Sequence, residues 1–479
     1  MKYFLVVTCL LIAHISLAQM LQQSIEKAYT RFEQDEQLRY GISSLTVFNA
    51  ETGELVFSRN GNMGLASAST LKTVTAATAL SILGKDFTWE TTLGYLGRIK
   101  KGVLVGDLIL RGGGDPTLGS SRYTETNKHV LLKKWVSAIR QAGIKQVHGR
   151  VLVDDHLFGT QTLPDGWIWQ DMGNYFGAGS AAISWNENQC ELTLKPAIQV
   201  GDPVKMVRSE PSIPYLKIVN EVKTGEAGSG DHVYAYSGPY SNVIYLRGTY
   251  AIDLKKIISI SIPDPAFEVA FRLQDTLKQL AIQIDQPPST SRRLSIDSIS
   301  LSSSRRMQDA EINFKTLSIH QSPPLTQVIE AFNQKSINLY GEVLLKTLAW
   351  KEGKPSTTDE GVKIVKMFWA NKLGIDINTM NIIDGSGLSP ATRITTQSMG
   401  SILCSARKEM WFDAFYKSIP INNGMKMKSG SINDVLAYAG YQTTSNGVPL
   451  AFSFIINNYN GSTSKIKKKM FVVLDILKK

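Results

Sequence analysis

A serine and a lysine stand three residues apart in a stretch that is otherwise small and apolar, ASASTLKTVTAATAL at residues 66–80. The spacing predicts a helix that carries Ser69 and Lys72 on one face, with Ser69 near its N-terminus. A lysine that is removed from water loses its proton more readily, and a neutral amine can deprotonate a neighbouring hydroxyl. The helix dipole would stabilise the resulting alkoxide. Taken alone, the pair fits equally well a lysine that snorkels at a helix edge.

A second motif favours the catalytic interpretation. Ser-x-x-Lys also begins at four other serines, so the spacing alone selects nothing (Ser24, Ser405, Ser462 and Ser464). The segment NQKSINLYGEVLLKTLAW, residues 333–350, places Ser336 and Asn338 just before a predicted amphipathic helix. Two polar side chains at a helix start can hold a substrate or pass a proton.

A third motif follows on a predicted strand. Lys428, Ser429 and Gly430 lie in the first of three strands predicted within residues 424–457. A lysine and a hydroxyl on one strand suit a cleft better than a buried sheet, and the glycine allows a substrate backbone to approach closely. Each short motif alone is typical of a surface loop or strand. All three in this order predict a nucleophilic serine site.

Composition narrows the class of protein. A chain of 479 residues predicts two or three domains, and 43% hydrophobic with 19% charged residues is typical of globular proteins. The net charge of +11 favours anionic surroundings such as a cell-wall polymer, whereas nucleic-acid binding is not predicted because the chain carries no recognition motif. The six histidines have no metal-ligand spacing, so we predict no metal and no other cofactor. Cys190 and Cys404 are predicted to be buried free thiols.

The N-terminus predicts export. Met1-Lys2 is followed by an apolar run that ends in Ser16-Leu17-Ala18, which is typical of a secretory signal peptide over residues 1–18. An N-terminal membrane anchor is the alternative, although the run is short for a bilayer span. No later segment is predicted to cross the membrane, so the mature protein is expected to be secreted or periplasmic.

The order of predicted elements indicates domains inserted within a domain. A helix at 21–39 and two strands at 41–61, together with strands near the C-terminus, predict one α/β domain built from both chain ends. Two helix–strand units, at 129–149 and 268–286, flank a β-rich region in the middle of the chain.

The three motifs together resemble the penicillin-recognising serine acyltransferases, whose signature is Ser-x-x-Lys, then Ser-x-Asn, then Lys-Ser/Thr-Gly. The 266 residues between Ser69 and Ser336 make the chain similar to the class C low-molecular-mass penicillin-binding proteins, the D-Ala-D-Ala carboxypeptidase/endopeptidase family. Further stretches agree with that family: RGGGDPTL (111–118), GRVLVDDHLF (149–158), LPDGWIWQDMGNYFGA (163–178), HQSPPL (320–325) and DGSGLSPATRIT (384–395). The chain departs from the family pattern at Ile337, where Asp or Asn is commoner, and at Ser429, which replaces Thr.

The resemblance implies an α/β (α+β) transpeptidase domain of the penicillin-binding and serine β-lactamase type, with inserted α/β and β-rich domains. The catalytic domain is expected at 19–95 and 306–479. The inserted α/β domain is expected at 96–186 and 263–305, and the inserted β-rich domain at 187–262.

The resemblance also implies a mechanism. Ser69 attacks the carbonyl of the penultimate D-Ala of a peptidoglycan stem peptide, and Lys72 takes its proton. Burial and the charge of Lys428 are expected to lower the pKa of Lys72. Ser336 relays a proton to the leaving amine, and Asn338 holds the substrate amide and orients Lys72.

The remaining site residues implied by the resemblance bind the substrate. Lys428 and Ser429 take the terminal carboxylate, Gly430 lets the substrate approach, and the backbone N–H groups of Ser69 and Ser431 form the oxyanion hole. Asp154 and Asp155 are candidate partners for the ammonium of a diamino acid, with capping carboxylates in a turn as the alternative.

The expected partners are peptidoglycan stem peptides and, as covalent inhibitors, β-lactams, with the formation of a homodimer left open. Two other functions stay open at this point. A β-lactamase or esterase could use the same residues, and a non-catalytic cell-wall-binding protein could keep the fold.

Overall fold

The computed structural model describes residues 19–297 and 314–479, so the predicted signal peptide at 1–18 lies outside the described residues. The chain divides into two compact units. The first covers the described residues up to Lys85, then Ile329–Ile337 and Gly361–Lys479. The second covers Asp86–Val328 and Asn338–Glu360. The finer boundaries of two inserted domains stay a prediction.

The first unit is built on a six-stranded antiparallel sheet that draws on both ends of the chain. Its strands, in spatial order, are Leu55–Arg59, Ile42–Asn49, Pro449–Asn457, Val435–Thr443, Met425–Ile432 and Ile421–Asn422. The central strand Pro449–Asn457 is buried along nearly its whole length. Its almost continuous apolar sequence, PLAFSFIIN, is what a strand covered on both faces requires.

Both faces of this sheet are packed. On one face, Phe454 contacts Tyr29 and Phe32 of the N-terminal helix, residues 19–33, with ring centroids 5.8 and 5.2 Å apart. The C-terminal helix Thr463–Leu474 joins the same core. The other face meets the helix Thr396–Ala406, whose first hydroxyl lies 2.6 Å from that of Ser44.

The remaining elements of the first unit surround this sheet. The short strands Gly64–Ala66, Arg393–Thr395 and Met380–Asn381 form a second small sheet. The helix predicted at 66–80 is instead a 3₁₀ turn, Ala68–Leu71, that continues into the α-helix Lys72–Leu83. The other helices that lie wholly or partly in this unit are Leu325–Lys335, Thr358–Leu373 and Phe412–Ser418, with 3₁₀ turns at Glu36–Leu38, Ile377–Thr379 and Asp475–Lys478.

The second unit contains the two helix–strand units predicted from the sequence. The helix Lys128–Gln141 leads to the strand Gln146–His148, and the helix Pro265–Gln279 leads to Gln283–Ile284. These two strands pair in parallel, so the similar units lie side by side in one sheet. The other strands of that sheet are Glu90–Lys100, Val103–Arg111, Val151–Asp154, Ser289–Thr290 and Lys315–Gln321.

The β-rich part of the second unit has its own core, which includes the buried thiol Cys190. One sheet is formed by Gln189–Lys195, Lys205–Glu210 and Ile258–Ser261, a second by Lys217–Asn220, Tyr234–Tyr236 and Val243–Arg247, and a strand pair by Lys223–Gly225 and Thr249–Ala251. Among the described residues of this unit, the remaining helices are Asn338–Lys351, Trp169–Met172 and Ser291–Asp297, with 3₁₀ turns at Tyr175–Gly177 and Asn186–Asn188.

Two predictions about single features can be compared with these elements. Cys190 and Cys404 are buried free cysteines, as predicted. Within residues 19–297 and 314–479, none of the helices combines the length and the apolar character that a membrane span requires.

The packing of the N-terminal helix on the sheet predicts that Phe454→Ala lowers the free energy of unfolding by about 3–5 kcal/mol, because the truncation leaves a cavity among packed rings. Guanidinium unfolding of the purified protein measures the change. Val472→Ala is the matched control, since Val472 is 64% exposed on the C-terminal helix and should stay within about 0.5 kcal/mol. Equal losses for the two variants would contradict the packing.

Candidate functional site

The predicted nucleophile and base are within hydrogen-bond distance of each other. The Lys72 ammonium donates to the Ser69 hydroxyl at 2.9 Å and to the backbone carbonyl of Ser386 at 2.8 Å. Lys72 is fully buried, whereas Ser69 is partly exposed. The Phe332 ring also lies below the ammonium, with its centroid 5.7 Å away. Burial disfavours the charged form of a lysine, so this position suits an amine that must accept a proton.

The turn that carries Ser69 is strained. Ala68 has φ +44°, a left-handed conformation that residues with a Cβ rarely adopt. A Cβ at Gly387 would lie only 2.0 Å from the Ala68 carbonyl oxygen, so only glycine can pack against this turn. The strain places Ser69 at the entrance of the helix Lys72–Leu83, and the packed glycine helps to hold it there.

A loop that received no role from the sequence holds the base in place. Asp384 is fully buried, and its carboxylate accepts hydrogen bonds from the Ser389 N–H at 2.9 Å and the Thr392 hydroxyl at 2.6 Å. These bonds fix the loop whose Ser386 carbonyl accepts from Lys72. The only sequence signal for this loop was the DGSGLSPATRIT stretch, because a backbone acceptor leaves no residue type to recognise.

The second and third motifs also meet within the first unit. The Lys428 ammonium donates to the Ser336 hydroxyl at 3.0 Å and to the Ser429 carbonyl at 2.9 Å. Burial lowers the pKa of Lys428 to about 8. Ser336 has φ +56°, so a second strained residue presents a hydroxyl in the site.

The strand of the third motif passes directly against the Ser69 turn. A Cβ at Gly430 would lie 2.7 Å from the Ser67 carbonyl oxygen and 2.8 Å from the Ser69 nitrogen, so this contact requires glycine. Ser429 is half-buried and Ser431 is exposed on the same strand. The neighbouring short strand reaches only the start of this strand, through pairs with Met425 and Lys426. Among the described residues, the outer edge from Lys428 to Ile432 therefore has no ladder partner.

Asn338 belongs to the second unit, although it follows Ser336 by two residues. It is the first residue of the helix Asn338–Lys351, and its side-chain amide donates to the Phe176 carbonyl at 2.8 Å. The prediction of an amphipathic helix here was wrong, because the helix is buried on all sides from Asn338 to Ala349. Glu342 and Lys346 lie in the interior, where Lys346 donates to the Gln161 carbonyl at 2.6 Å.

Asp155 also belongs to the second unit, and it lines a cavity of about 170 Å³ with Phe158, Tyr240 and Arg292. Its carboxylate accepts the Arg292 backbone N–H at 3.3 Å, and burial raises its pKa. The preceding Asp154 accepts from the His156 backbone and ring. Both carboxylates therefore accept a backbone N–H group, and Asp155 also lines the cavity. The ligand-binding role of Asp155 stays a prediction.

Comparison with known proteins relates the whole described architecture to one family. The model of the D-Ala-D-Ala carboxypeptidase 3 (S13) family matches residues 21–476. A D-alanyl-D-alanine carboxypeptidase of Actinomadura sp. (strain R39) is 25% identical over 456 residues, which cover 89% of this chain and 80% of that protein. The D-alanyl-D-alanine carboxypeptidase DacB of Haemophilus influenzae is 25% identical over 442 residues, which cover 88% of this chain and 86% of that protein.

A solved structure confirms the predicted fold class. The crystal structure of penicillin binding protein 4 (dacB) from Haemophilus influenzae superposes with a TM-score of 0.74 at 22% identity, covering 94% of this chain and 99% of that one. A complex of the same protein with a β-lactam superposes with a TM-score of 0.70. The chain therefore has the mixed α/β fold of the penicillin-binding proteins.

The burial of Lys428 predicts a pH-dependent contribution to stability. Below pH 8 the lysine is charged in both the folded and the unfolded chain. The folded chain then bears the full desolvation cost of burying this charge. Between about pH 8 and the ordinary value of 10.5, the unfolded chain binds a proton that the folded chain does not, so this contribution stabilises the fold increasingly as pH rises. We therefore compare the unfolding free energies of the wild type and Lys428→Met. Their difference should increase in favour of the wild type across this window, by up to about 1.4 kcal/mol per pH unit. Parallel curves for the two proteins would contradict the shifted pKa.

Proposed function

Because the chain belongs to the D-Ala-D-Ala carboxypeptidase 3 (S13) family, we propose that it removes the terminal D-Ala of peptidoglycan stem peptides through an acyl-enzyme on Ser69. The family predicted from the three motifs is confirmed by this match, and with it the class of serine carboxypeptidase. The observation that carries the proposed mechanism is the buried side-chain nitrogen of Lys72, 2.9 Å from the Ser69 hydroxyl.

The first step forms the acyl-enzyme. The Ser69 oxygen attacks the carbonyl carbon of the penultimate D-Ala, while Lys72, as the neutral amine, takes the hydroxyl proton. The hydrogen bond between the two groups supports this transfer, and burial favours the neutral amine that the transfer needs. The lowered pKa of Lys72 stays a prediction.

The oxyanion that forms in this step needs hydrogen-bond donors. The backbone N–H groups of Ser69 and Ser431 are the proposed pair, and the close packing of Gly430 on the Ser69 nitrogen supports their proximity. Losing one such donor typically costs about 3–4 kcal/mol of transition-state stabilisation.

Ser336 is the proposed route by which a proton reaches the leaving amine. Its hydroxyl accepts a hydrogen bond from Lys428, which orients it, and the proton that Lys72 took from Ser69 passes through this hydroxyl to the leaving amine. The bond between the penultimate carbonyl and the terminal nitrogen then breaks, and free D-Ala leaves. Water hydrolyses the Ser69 ester and regenerates the hydroxyl.

The substrate backbone is proposed to lie along the outer edge of the strand Met425–Ile432. An edge without a ladder partner among the described residues can pair with an extended peptide, as in β-strand addition. In this position Lys428 and Ser429 would take the terminal carboxylate of the substrate, and Gly430 would leave room for its backbone. Asn338 is proposed to hold the substrate amide, because a side-chain amide can both donate and accept.

Asp155 is proposed to recognise the ammonium of a diamino acid in the stem peptide. Its carboxylate lines a cavity of about 170 Å³ and has one backbone donor, Arg292, at 3.3 Å. A cation that enters the cavity would offset the burial that raises the pKa of this carboxyl.

The broader assignments follow from the same chemistry. A cross-linked stem peptide offers the same penultimate D-Ala carbonyl, so we propose endopeptidase activity beside carboxypeptidase activity. A β-lactam should acylate Ser69 as a covalent inhibitor. The predicted signal peptide supports a secreted or periplasmic location, where peptidoglycan is found.

The proposed nucleophile is tested by labelling the purified protein with a fluorescent penicillin. We expect a covalent band for the wild type and none for Ser69→Ala, because the ester cannot form without the hydroxyl. Lys72→Ala should also lose labelling, since nothing then removes the proton. Ser24→Ala is the matched control, as this serine begins another Ser-x-x-Lys and should label fully. A labelled Ser69→Ala protein would exclude Ser69 as the nucleophile.

The proposed carboxylate-binding role of Lys428 predicts a pH effect on the Michaelis constant. Raising the pH through about 8 deprotonates Lys428, so the KM for a peptide ending in D-Ala-D-Ala should rise several-fold between pH 7 and 9. Lys428→Arg keeps the charge and should remove this rise, whatever its effect on kcat. A cross-linked substrate, which carries its carboxylate elsewhere, serves as the control. The same KM increase for both substrates would exclude this role.

A further inference from the structure

The segment at residues 168–176 exposes two large rings although it lies beside the buried helix of Asn338. Trp169 is 52% exposed and Tyr175 is 51% exposed. The segment is held in a fixed shape by the short helix Trp169–Met172 and the 3₁₀ turn Tyr175–Gly177. Its sequence is part of the LPDGWIWQDMGNYFGA stretch, whose exposed rings have no role in the proposed mechanism.

The exposed rings continue onto an open sheet face in the β-rich part of the same unit. Trp169 packs against Tyr236 with ring centroids 5.9 Å apart, and Tyr236 is the cross-strand partner of Tyr245. Between them lies Arg247, whose guanidinium is 5.3 Å from the Tyr236 ring and 5.4 Å from the Tyr245 ring. We call Trp169, Tyr236, Tyr245 and Arg247 the aromatic platform.

The platform is the solvent side of a two-faced sheet. Alternate residues on the same strands, Ala235, Ile244 and Leu246, are buried in the core of the β-rich part. The packed core on the other face of the sheet therefore fixes the rings. They would lose little conformational entropy on binding a flat ligand. Arg247 is further fixed by an ion pair with Glu221 at 2.8 Å.

The segment that carries Trp169 also contacts the proposed catalytic machinery. Tyr175 and Phe176 pack edge to face at 5.3 Å, and the Phe176 carbonyl accepts the Asn338 side-chain amide at 2.8 Å. All of these residues lie in the second unit. The segment 168–176 therefore connects Asn338 to the exposed ring of Trp169. A polymer whose peptide is bound at Asn338 could extend along this segment to the exposed rings.

We propose that the aromatic platform binds the glycan strand of peptidoglycan, a chain of β-linked N-acetylated hexosamines. Exposed tryptophan and tyrosine rings offer flat apolar faces to the C–H groups of pyranose rings, and their polar edges remain in water. This inference rests on the proposed function for the identity of the polymer.

The charges beside the rings agree with this ligand. Lys217 lies on the neighbouring strand, paired with Val243, and Arg247 is neutralised by Glu221. The positive charge of Lys217 suits a glycan whose attached stem peptides are anionic. Tyrosine, tryptophan and arginine are also common at protein interfaces, so a protein partner is an outcome that the experiment must separate.

The first experiment measures binding of a peptide-free N-acetylglucosamine tetramer to the full chain by calorimetry. Ser69→Ala is the background, so that no turnover is involved. We expect saturable binding, and Trp169→Ala and Tyr245→Ala should each weaken it roughly tenfold, as stacking residues do for other flat ligands. Trp350→Ala is the matched control, because Trp350 is 47% exposed in the same unit but outside the platform.

The second experiment compares hydrolysis of a glycan-linked stem peptide with that of the free peptide, in the catalytic protein. Trp169→Ala should lower kcat/KM several-fold more for the glycan-linked substrate. An equal loss on both substrates would mean that Trp169 only positions Asn338, and it would overturn the proposal.

Two further results would also overturn it: no saturable binding of the tetramer, or equal weakening by Trp169→Ala and Trp350→Ala. Self-association that Trp169→Ala removes, in a protein that does not bind the tetramer, would assign the platform to a second copy instead. Failure of the penicillin label would remove the proposed function and leave the tetramer result unaffected, so the two failures are distinguishable.

Discussion

The burial of one ammonium, that of Lys72, is the constraint on which the site depends. A charged group without partners cannot be kept out of water at acceptable cost, so the fold must supply acceptors to it. Two of them are the Ser69 hydroxyl and the Ser386 carbonyl, at 2.9 and 2.8 Å. The Ser69 hydroxyl is also the group that Lys72 must deprotonate. The contact that offsets the cost of burying Lys72 therefore also aligns the proton transfer. The second acceptor is a backbone group, which explains why a buried Asp384 is used to fix the loop around it.

These contacts depend on close packing of backbone segments around the turn that carries Ser69. The Ser69 turn is approached from two sides, by Gly387 at the Ala68 carbonyl and by Gly430 at the Ser69 nitrogen, and a Cβ at either position would lie under 3 Å from a backbone atom. The left-handed conformations of Ala68 and Ser336 are the local cost of presenting two hydroxyls in one site. Such strain persists only where the surrounding packing over-determines it. The two glycine contacts supply that packing at Ala68.

The sequence predicted what is local in this site and missed what is distant. Ser-x-x-Lys places two side chains together because residues three apart share a helix face, and the three motifs predicted the family. The Ser386 carbonyl is 314 residues from Lys72 and carries no side-chain signature. The helix after Ser336 was predicted to be amphipathic from the periodicity of its residues. In the structure Lys346 lies in the interior and donates to the Gln161 and Ser180 carbonyls, which periodicity cannot reveal.

The two departures from the family pattern are explained differently by the structure. Ile337 is 8% exposed, whereas its neighbour Ser336 is partly exposed and reaches Lys428. The middle position of the second motif is therefore a buried packing position in this chain. Ser429 keeps a hydroxyl but lacks the methyl group that makes threonine stiff at χ1. Its carbonyl accepts from Lys428 and does not depend on the side chain, so the replacement leaves the Lys428 ammonium held and loosens only the hydroxyl beside it.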